Sequence, residues 1–265
     1  MYPILFELPG LTFYTQTLLF IIAFIVGLLV AVHEGKYWNI SRLDLTDIVL
    51  WGFLGAIPGA RALFLLLSYK QISLSLSEFC TLGTLDGGFS FHGGLFAGGI
   101  VTLLAVRHHR LPVWRVADAF APGLALALFF MRLGCLLNGC DYGIITTVPW
   151  GIPLHGAFRH PIQLYEGLGN LLLFPILLHM NKKPMKPGVT FLTYILLSAL
   201  LRFAVDFYRE EFVHVWQGML ISQWLALAIF IIATFAFVFD LPTRIFSTVH
   251  GVEHHSGLKE STDCD

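Results

Sequence analysis

Residues 12–32 read TFYTQTLLFIIAFIVGLLVAV, without one charged side chain. A helix crossing the hydrocarbon layer of a bilayer needs roughly 20 mostly apolar residues, so this stretch predicts a transmembrane span. Working outward, six more stretches read the same way, at about 45–69, 89–106, 113–137, 162–180, 188–207 and 218–240. Composition agrees: 56% of the 265 residues are hydrophobic and 12% charged, against about 25% charged in a soluble domain. A net charge of -1 excludes a basic field for nucleic acid, and the hydrophobicity excludes disorder. Cys80, Cys135, Cys140 and Cys264 form no CxxC pair, so neither a zinc site nor a disulfide framework is indicated. The expectation is an all-α polytopic membrane protein of about seven spans, one transmembrane domain over 1–240 and a polar, disordered tail over 241–265.

Lysine and arginine distribution sets the orientation. Lys36, Arg42, Arg107, Arg110, Arg115, Lys182, Lys183, Lys186, Arg244 and Lys259 fall on one side; Lys70, Arg159 and Arg209 fall on the other. That bias predicts an external N-terminus and a cytoplasmic C-terminus. The first ten residues, MYPILFELPG, contain no basic residue, so the first span is expected to be an anchor rather than a cleaved signal peptide. The third span is rich in glycine (Gly93, Gly94, Gly98, Gly99) and is expected to be short, even broken.

Three arginines remain, and all lie within spans: Arg61, Arg132 and Arg202. A charge deep in a bilayer costs about 2.5–3.5 kcal/mol on insertion scales and usually marks function. With the orientation above, all three belong to the outer halves of their spans, as do His92, Tyr14 and Asp206. Each alone has a plain reading: snorkelling for an arginine, an interfacial belt for Tyr14, a structural histidine for His92, mutual neutralisation at i, i+4 for Arg202 and Asp206. Together they place six polar groups at one level. Guanidinium is planar, always charged and matched to phosphate, and the abundant phosphate at that depth is a phospholipid headgroup. Two ionisable residues stand apart, Asp118 near the inner end of span four and Glu166 near the outer end of span five.

Five strings carry a resemblance: GAIPGARALF at 55–64, DGGFSFHGGLFAGG at 86–99, FFMRLGCLLNGCDYG at 129–143, RHPIQLYEG at 159–167 and RFAVDFYRE at 202–210. In this order they resemble the prolipoprotein diacylglyceryl transferase family. The resemblance implies a bacterial inner-membrane enzyme acting towards the outer leaflet. It would move the sn-1,2-diacylglyceryl group of phosphatidylglycerol to the lipobox cysteine of a prolipoprotein signal peptide, releasing glycerol 1-phosphate. Its partners would be that lipid, those signal peptides and the bilayer, with no nucleic acid, cofactor or metal. By position, Arg132 and Arg202 match two essential arginines, His92 the histidine of the FHGG string, and Tyr14 a tyrosine at the start of the first span. Asn138 and Gly143 match two members of the central signature, and Asp206 stands where the family usually has glutamate. Arg61 is a headgroup candidate.

The departures from the family pattern are local. Where the central signature commonly reads R-x-G-N-F-x-N-G-E-x-x-G, Cys135 replaces the first asparagine and Cys140 the glutamate, with Asp141 next in line. Ser198 occupies a position where a tyrosine is often found, and Tyr194 lies one turn earlier. Both cysteines are expected to pack as small apolar residues. His92 is expected to accept the thiol proton, and Arg132 and Arg202 to neutralise the departing phosphate. The alternatives are a divergent relative that binds phospholipid without transfer, or a lipid or anion transporter, whose ionisable residues would spread through the depth of the membrane.

Overall fold

The structure, a computed structural model, describes residues 4–8, 11–67, 90–210, 215–216 and 218–242. The side chains of Phe91 and His92, residues 86–89 of the glycine-rich string and the tail from 243 lie outside the described residues.

Every expected span forms a helix. They are α1 (Thr15–Glu34), α2 (Arg42–Leu67), α3 (Phe91–His108), α4 (Val113–Asn138), α5 (Ile162–Asn181), α6 (Val189–Asp206) and α7 (Ile221–Val238). Helices are the natural outcome, because lipid cannot satisfy a backbone N–H or C=O and the helix satisfies both internally. Among the described residues, five helical segments are long and apolar enough to cross a membrane: Thr15–Trp38, Arg42–Leu67, Val113–Asn138, Val189–Asp206 and Ile221–Val238. The burial pattern is inverted relative to a soluble protein. Leu29, Leu172 and Ile232 are more than 60% exposed, whereas Glu34, Asp118 and Gln163 are at most 1% exposed. Large apolar side chains therefore face outward and the polar groups turn in, as expected of an all-α polytopic membrane protein.

Two starting points differ from the sequence reading. Tyr14 does not begin the first helix. It ends strand β2 (Leu11–Tyr14), which pairs antiparallel with β1 (Ile4–Leu8), and its extended backbone serves as the cap residue before Thr15. The glycine-rich third span is not broken, since α3 runs unbroken from Phe91 to His108.

The chain divides into two compact units, Trp38–Val116 and Met1–Tyr37 with Ala117–Asp265. In the first, α2 and α3 pack through small faces. A side chain added at Gly59 would run into Ala97 and the Gly93 carbonyl, and one at Gly98 would stand 3.0 Å from the Gly52 carbonyl. The glycines thus allow the close backbone approach that drives helix pairing in lipid. Beyond α3, His109 contacts Asp44 at 3.4 Å and Asp47 at 2.8 Å, tying the end of α3 to the start of α2.

In the second unit, α4, α5 and α6 enclose an apolar core of Ala121, Ala125, Leu173, Leu177 and Tyr194. Asp118, one of the two residues that stood apart in the sequence, serves α6 from a neighbouring helix. Its carboxylate accepts the N–H groups of Gly188 at 2.5 Å and Phe191 at 2.8 Å. The free N–H groups of a helix start are thereby satisfied by a residue far away in sequence. Asn181 extends the network by donating to Glu34 Oε2 at 3.0 Å and to the Asp118 carbonyl at 3.1 Å.

Candidate functional site

The opposite end of α6 carries the chemistry. Arg202, Asp206 and Arg209 follow one another at i, i+4 and i+7, so the last turns of α6 and the turn after it present them on one side. Arg132 comes from the last two turns of α4, and Glu166 from the first turn and a half of α5. Asp141 stands on the turn beyond α4, which ends where Gly139 takes a left-handed φ of 77°, a common helix stop.

These six side chains form a closed ring of alternating charge. Arg132 Nε meets Glu166 Oε2 at 2.5 Å, and Glu166 Oε1 meets Arg202 Nη1 at 2.8 Å. Arg202 Nε meets Asp206 Oδ1 at 3.2 Å, and the same oxygen meets Arg209 Nε at 2.9 Å. Arg209 Nη1 then meets Asp141 Oδ1 at 3.1 Å, and Asp141 Oδ2 meets Arg132 Nη1 at 2.7 Å, closing the circuit. One brace crosses it, from Arg209 Nη2 to Glu166 Oε1 at 3.1 Å.

Exposure is unequal around the ring. The side chains of Glu166, Asp206 and Arg209 are at most 5% exposed, Arg132 17%, Arg202 29% and Asp141 42%. Three carboxylates balance three guanidinium groups. Burying such charges is tolerable only with this degree of mutual pairing. Asp141 lies outside the helices. Burial alone would raise its pKa, but Arg209 and Arg132 outweigh that and hold it below the usual carboxylate range.

A small β-like clasp presents Asp141 to the ring. Gly143 bridges to Arg209 and Ile145 to Arg159. Backbone bonds run from Ile144 N to the Tyr208 carbonyl (2.8 Å) and from His160 N to the Ile144 carbonyl (3.1 Å). Segment 142–146 is thus held between two neighbours, one of which ends the hairpin of β3 (Ile152–Leu154) and β4 (Ala157–Arg159). Gly143 has no room for a side chain, since an added Cβ would stand 2.6 Å from the His160 carbonyl and 2.7 Å from that of Tyr208.

The RHPIQLYEG string supplies the fastenings. Arg159 donates to the carbonyls of Leu154 (3.1 Å) and Gly143 (3.2 Å), pairs with Glu210 and covers the Tyr142 ring at 4.6 Å. Gln163 Nε2 donates to the Cys140 carbonyl at 2.6 Å, and the Tyr165 hydroxyl joins His160 Nδ1 (3.0 Å) and Trp150 Nε1 (2.8 Å).

Of the residues singled out in the sequence, the ring unites Arg132, Arg202 and Asp206, and Gly143 holds the strand beside them. Asn138 ends α4, and its side chain bonds the Cys140 thiol. Tyr14 is half-exposed at the end of β2. Arg61, over the Phe64 ring at 5.8 Å, lies on α2 in the other compact unit, as does the backbone of His92 on α3. Sequence reading placed Glu166 apart, counted Arg209 and Arg159 among loop charges, and noted Asp141 only as a neighbour. The signals were present: Arg209 continues the 202–206 helical spacing, and Glu166 closes the string that Arg159 opens.

Cys135 and Cys140 are free thiols. Cys135 Sγ receives Gln16 Nε2 at 3.9 Å, and Cys140 Sγ faces the Cys135 carbonyl at 3.5 Å. A hydrogen bond from the Cys135 thiol lowers the pKa of Cys140 to about 7, with burial and Asp141 opposing. Tyr194 is buried in the core, and Ser198 donates to the Ile195 carbonyl of its own helix.

Fold and site together define a polytopic α-helical membrane protein with a closed arginine–carboxylate ring at one end of its bundle. Known proteins narrow that class. The family described as "Prolipoprotein diacylglyceryl transferase" matches residues 3–239. A relative from Finegoldia magna, named phosphatidylglycerol–prolipoprotein diacylglyceryl transferase, is 31% identical over 228 residues, 85% of this chain and 90% of its own. Its namesake from Pediococcus pentosaceus is 31% identical over 251 residues, 89% of each chain. The Idiomarina loihiensis protein of that name is 34% identical over 201 residues, 73% of this chain and 75% of its own. This chain belongs to the prolipoprotein diacylglyceryl transferase family.

Proposed function

We propose that the chain is an enzyme that transfers the sn-1,2-diacylglyceryl group of phosphatidylglycerol to the lipobox cysteine of prolipoprotein signal peptides. The work is done in the bacterial inner membrane, towards its outer leaflet. The observation that carries this reading is the convergence of Arg132, Arg202 and Arg209 in a chain of this family. Guanidinium groups are suited to neutralise charge that develops on a departing phosphate.

The reaction is a displacement at the glycerol carbon. The C–O bond to phosphate breaks and a C–S bond forms. The thiol proton passes to a base, and the bonding electrons leave with glycerol 1-phosphate. A free thiol titrates near 8.5, so a base with an ordinary histidine pKa of about 6.5 suits the task, and His92 is assigned it. Arg132 and Arg202 face the phosphate. Tyr14, Arg61, Arg132, Asn138, Gly143 and Asp206 are assigned to substrate binding.

Two measurements test the reading. Purified protein in vesicles, given labelled phosphatidylglycerol and a lipobox peptide, should release glycerol 1-phosphate, and the chain should rescue a transferase-depleted bacterium. Equal turnover of a zwitterionic phospholipid would contradict the headgroup assignment. Reporters fused after Lys183 and within 143–158 should read as cytoplasmic and external respectively; reversal of both would move the site to the wrong leaflet.

A further inference from the structure

The ring is electrically complete without substrate, which poses a problem for a phosphate site. Its charges sum to zero, from Arg132, Arg202 and Arg209 against Glu166, Asp206 and Asp141. An arriving phosphodiester carries one negative charge and needs guanidinium donors that are already engaged. One carboxylate must give way.

The three carboxylates are not equally able to do so. Glu166 is anchored on α5 with 5% of its side chain exposed and touches all three arginines. Asp206 is anchored on α6, has no exposed side-chain surface and holds both Arg202 and Arg209. Breaking either would leave buried charges unpaired, which is strongly unfavourable. Asp141 differs in every respect. It sits on a turn at φ 56° outside the helices, and its side chain is 42% exposed. A pair whose carboxylate reaches the surface is held less firmly than one buried on both sides, so Asp141 is the link that opens.

Its geometry also resembles the ligand. Its two oxygens bridge two arginines, Oδ2 to Arg132 Nη1 at 2.7 Å and Oδ1 to Arg209 Nη1 at 3.1 Å. Two oxygens of a phosphate bridge guanidinium groups in the same manner.

Resting on the transferase reading, we propose that Asp141 is a resident stand-in for the lipid phosphate: it closes the arginine ring when the site is empty, swings to water when the headgroup arrives, and returns to help expel the product. The charge count supports both movements. With Asp141 displaced, the ring carries one net positive charge, which matches a phosphodiester. The phosphate monoester product takes a second negative charge, since such groups have a second pKa near 6. The product then exceeds the ring's charge, and Asp141 competes for the same donors. Asp141 is in this account a specificity-determining residue acting through Arg132 and Arg209, and it does not touch the reacting atoms.

The sign of its effect separates this role from a structural one. A carboxylate that merely organises the arginines should weaken anion binding when it is removed. A competitor should strengthen it. The test compares full-length wild type with Asp141→Asn and Asp141→Gly, both residues that accept positive φ. Glycerol 1-phosphate binding is measured by calorimetry in detergent, and KM for phosphatidylglycerol in vesicles diluted with a zwitterionic lipid. Both variants should bind glycerol 1-phosphate about fivefold more tightly, the size of one exposed charge pair. KM for the lipid should fall by a similar factor, with stronger product inhibition. Unchanged or weaker glycerol 1-phosphate binding in a variant that folds would overturn the proposal. A wild type that binds glycerol 1-phosphate but transfers nothing would instead sink the transferase reading, leaving the binding comparison to decide the role of Asp141.

Discussion

Arg209 Nη2 reaches Glu166 Oε1 at 3.1 Å across the middle of the ring, so one buried carboxylate is shared by guanidinium groups from α4, α6 and the turn after α6. Without Glu166, Arg132 loses the contact at its Nε and the cross-brace disappears. Glu166→Gln should therefore destabilise the protein by about 3–5 kcal/mol, the usual cost of leaving buried charges unpaired. Thermal unfolding in detergent reads this directly. A melting temperature within a degree or two of wild type would show that the ring does not hold the helices together.

Arginine is required twice over at Arg132 and at Arg202. Arg132 engages Glu166 through Nε and Asp141 through Nη1; Arg202 engages Asp206 through Nε and Glu166 through Nη1. A lysine is a single point charge and cannot bridge two partners with the same fixed fork. Arg132→Lys and Arg202→Lys should each lower kcat/KM by about a hundredfold, equivalent to roughly 2.7 kcal/mol. Transfer assayed in vesicles at saturating peptide gives the number. A loss smaller than threefold in both would remove the arginines from the mechanism.

The helices were legible because period and length are properties of the chain itself, and each apolar run became a helix within a few residues of its expected ends. Thr12 to Tyr14 were misread because an apolar run does not show that its first residues pair with Ile4–Leu8 as a strand. Arg132, Arg202 and Asp206 were legible because lipid makes an embedded charge conspicuous. Asp141, Arg159 and Arg209 were not, since a charge in a connecting segment looks like any solvated charge until the backbone folds it inward. Asp118 shows the converse. An embedded carboxylate drew attention, yet it caps a helix start.

Gly143 is pinched between two carbonyl oxygens, with an added Cβ 2.6 Å from one and 2.7 Å from the other. Gly143→Ala must push segment 142–146 away from one neighbour, and overpacking of this kind costs about 1–3 kcal/mol. The shift would also carry Asp141 and Arg209 apart, so activity should fall more than stability. Gly99→Ala is the control, because nothing lies within 4 Å of a Cβ there and alanine favours the helix. Equal behaviour of the two variants in unfolding and transfer assays would contradict the clasp.

Asp141 makes an acid-side prediction with a definite sign. Its pKa is held below the unfolded value, despite burial, by Arg209 and Arg132. The stabilisation it lends is present above the unfolded pKa of about 3.9 and is lost as pH falls through the folded value. Wild type should therefore be more stable than Asp141→Asn at neutral pH, by about 1 kcal/mol or less given its exposure. The difference should begin to shrink as pH falls below about 3.9 and vanish only below the lowered folded value. A gap that persists unchanged at pH 3 would mean that the asparagine acts through shape rather than charge.

Cys140 offers a chemical readout of the same turn. The hydrogen bond from the Cys135 thiol lowers its pKa to about 7, against the opposing effects of burial and of the Asp141 charge. Thiolate is the reactive form, and an ordinary cysteine reaches half-ionisation only near 8.5. Alkylation of Cys140, followed by mass spectrometry of its peptide, should rise about tenfold per pH unit below 7 and level off above it. Cys135→Ala removes the donor and should move the midpoint upward. Cys140→Ser should retain most activity, because the ring uses the carboxylate of Asp141 and not the thiol beside it. A bulky maleimide on Cys140, by contrast, should block transfer by crowding the turn that carries Asp141. A midpoint at 8.5 or above would show that Cys135 does not act on this thiol. Full activity after complete maleimide labelling would separate the turn from the site.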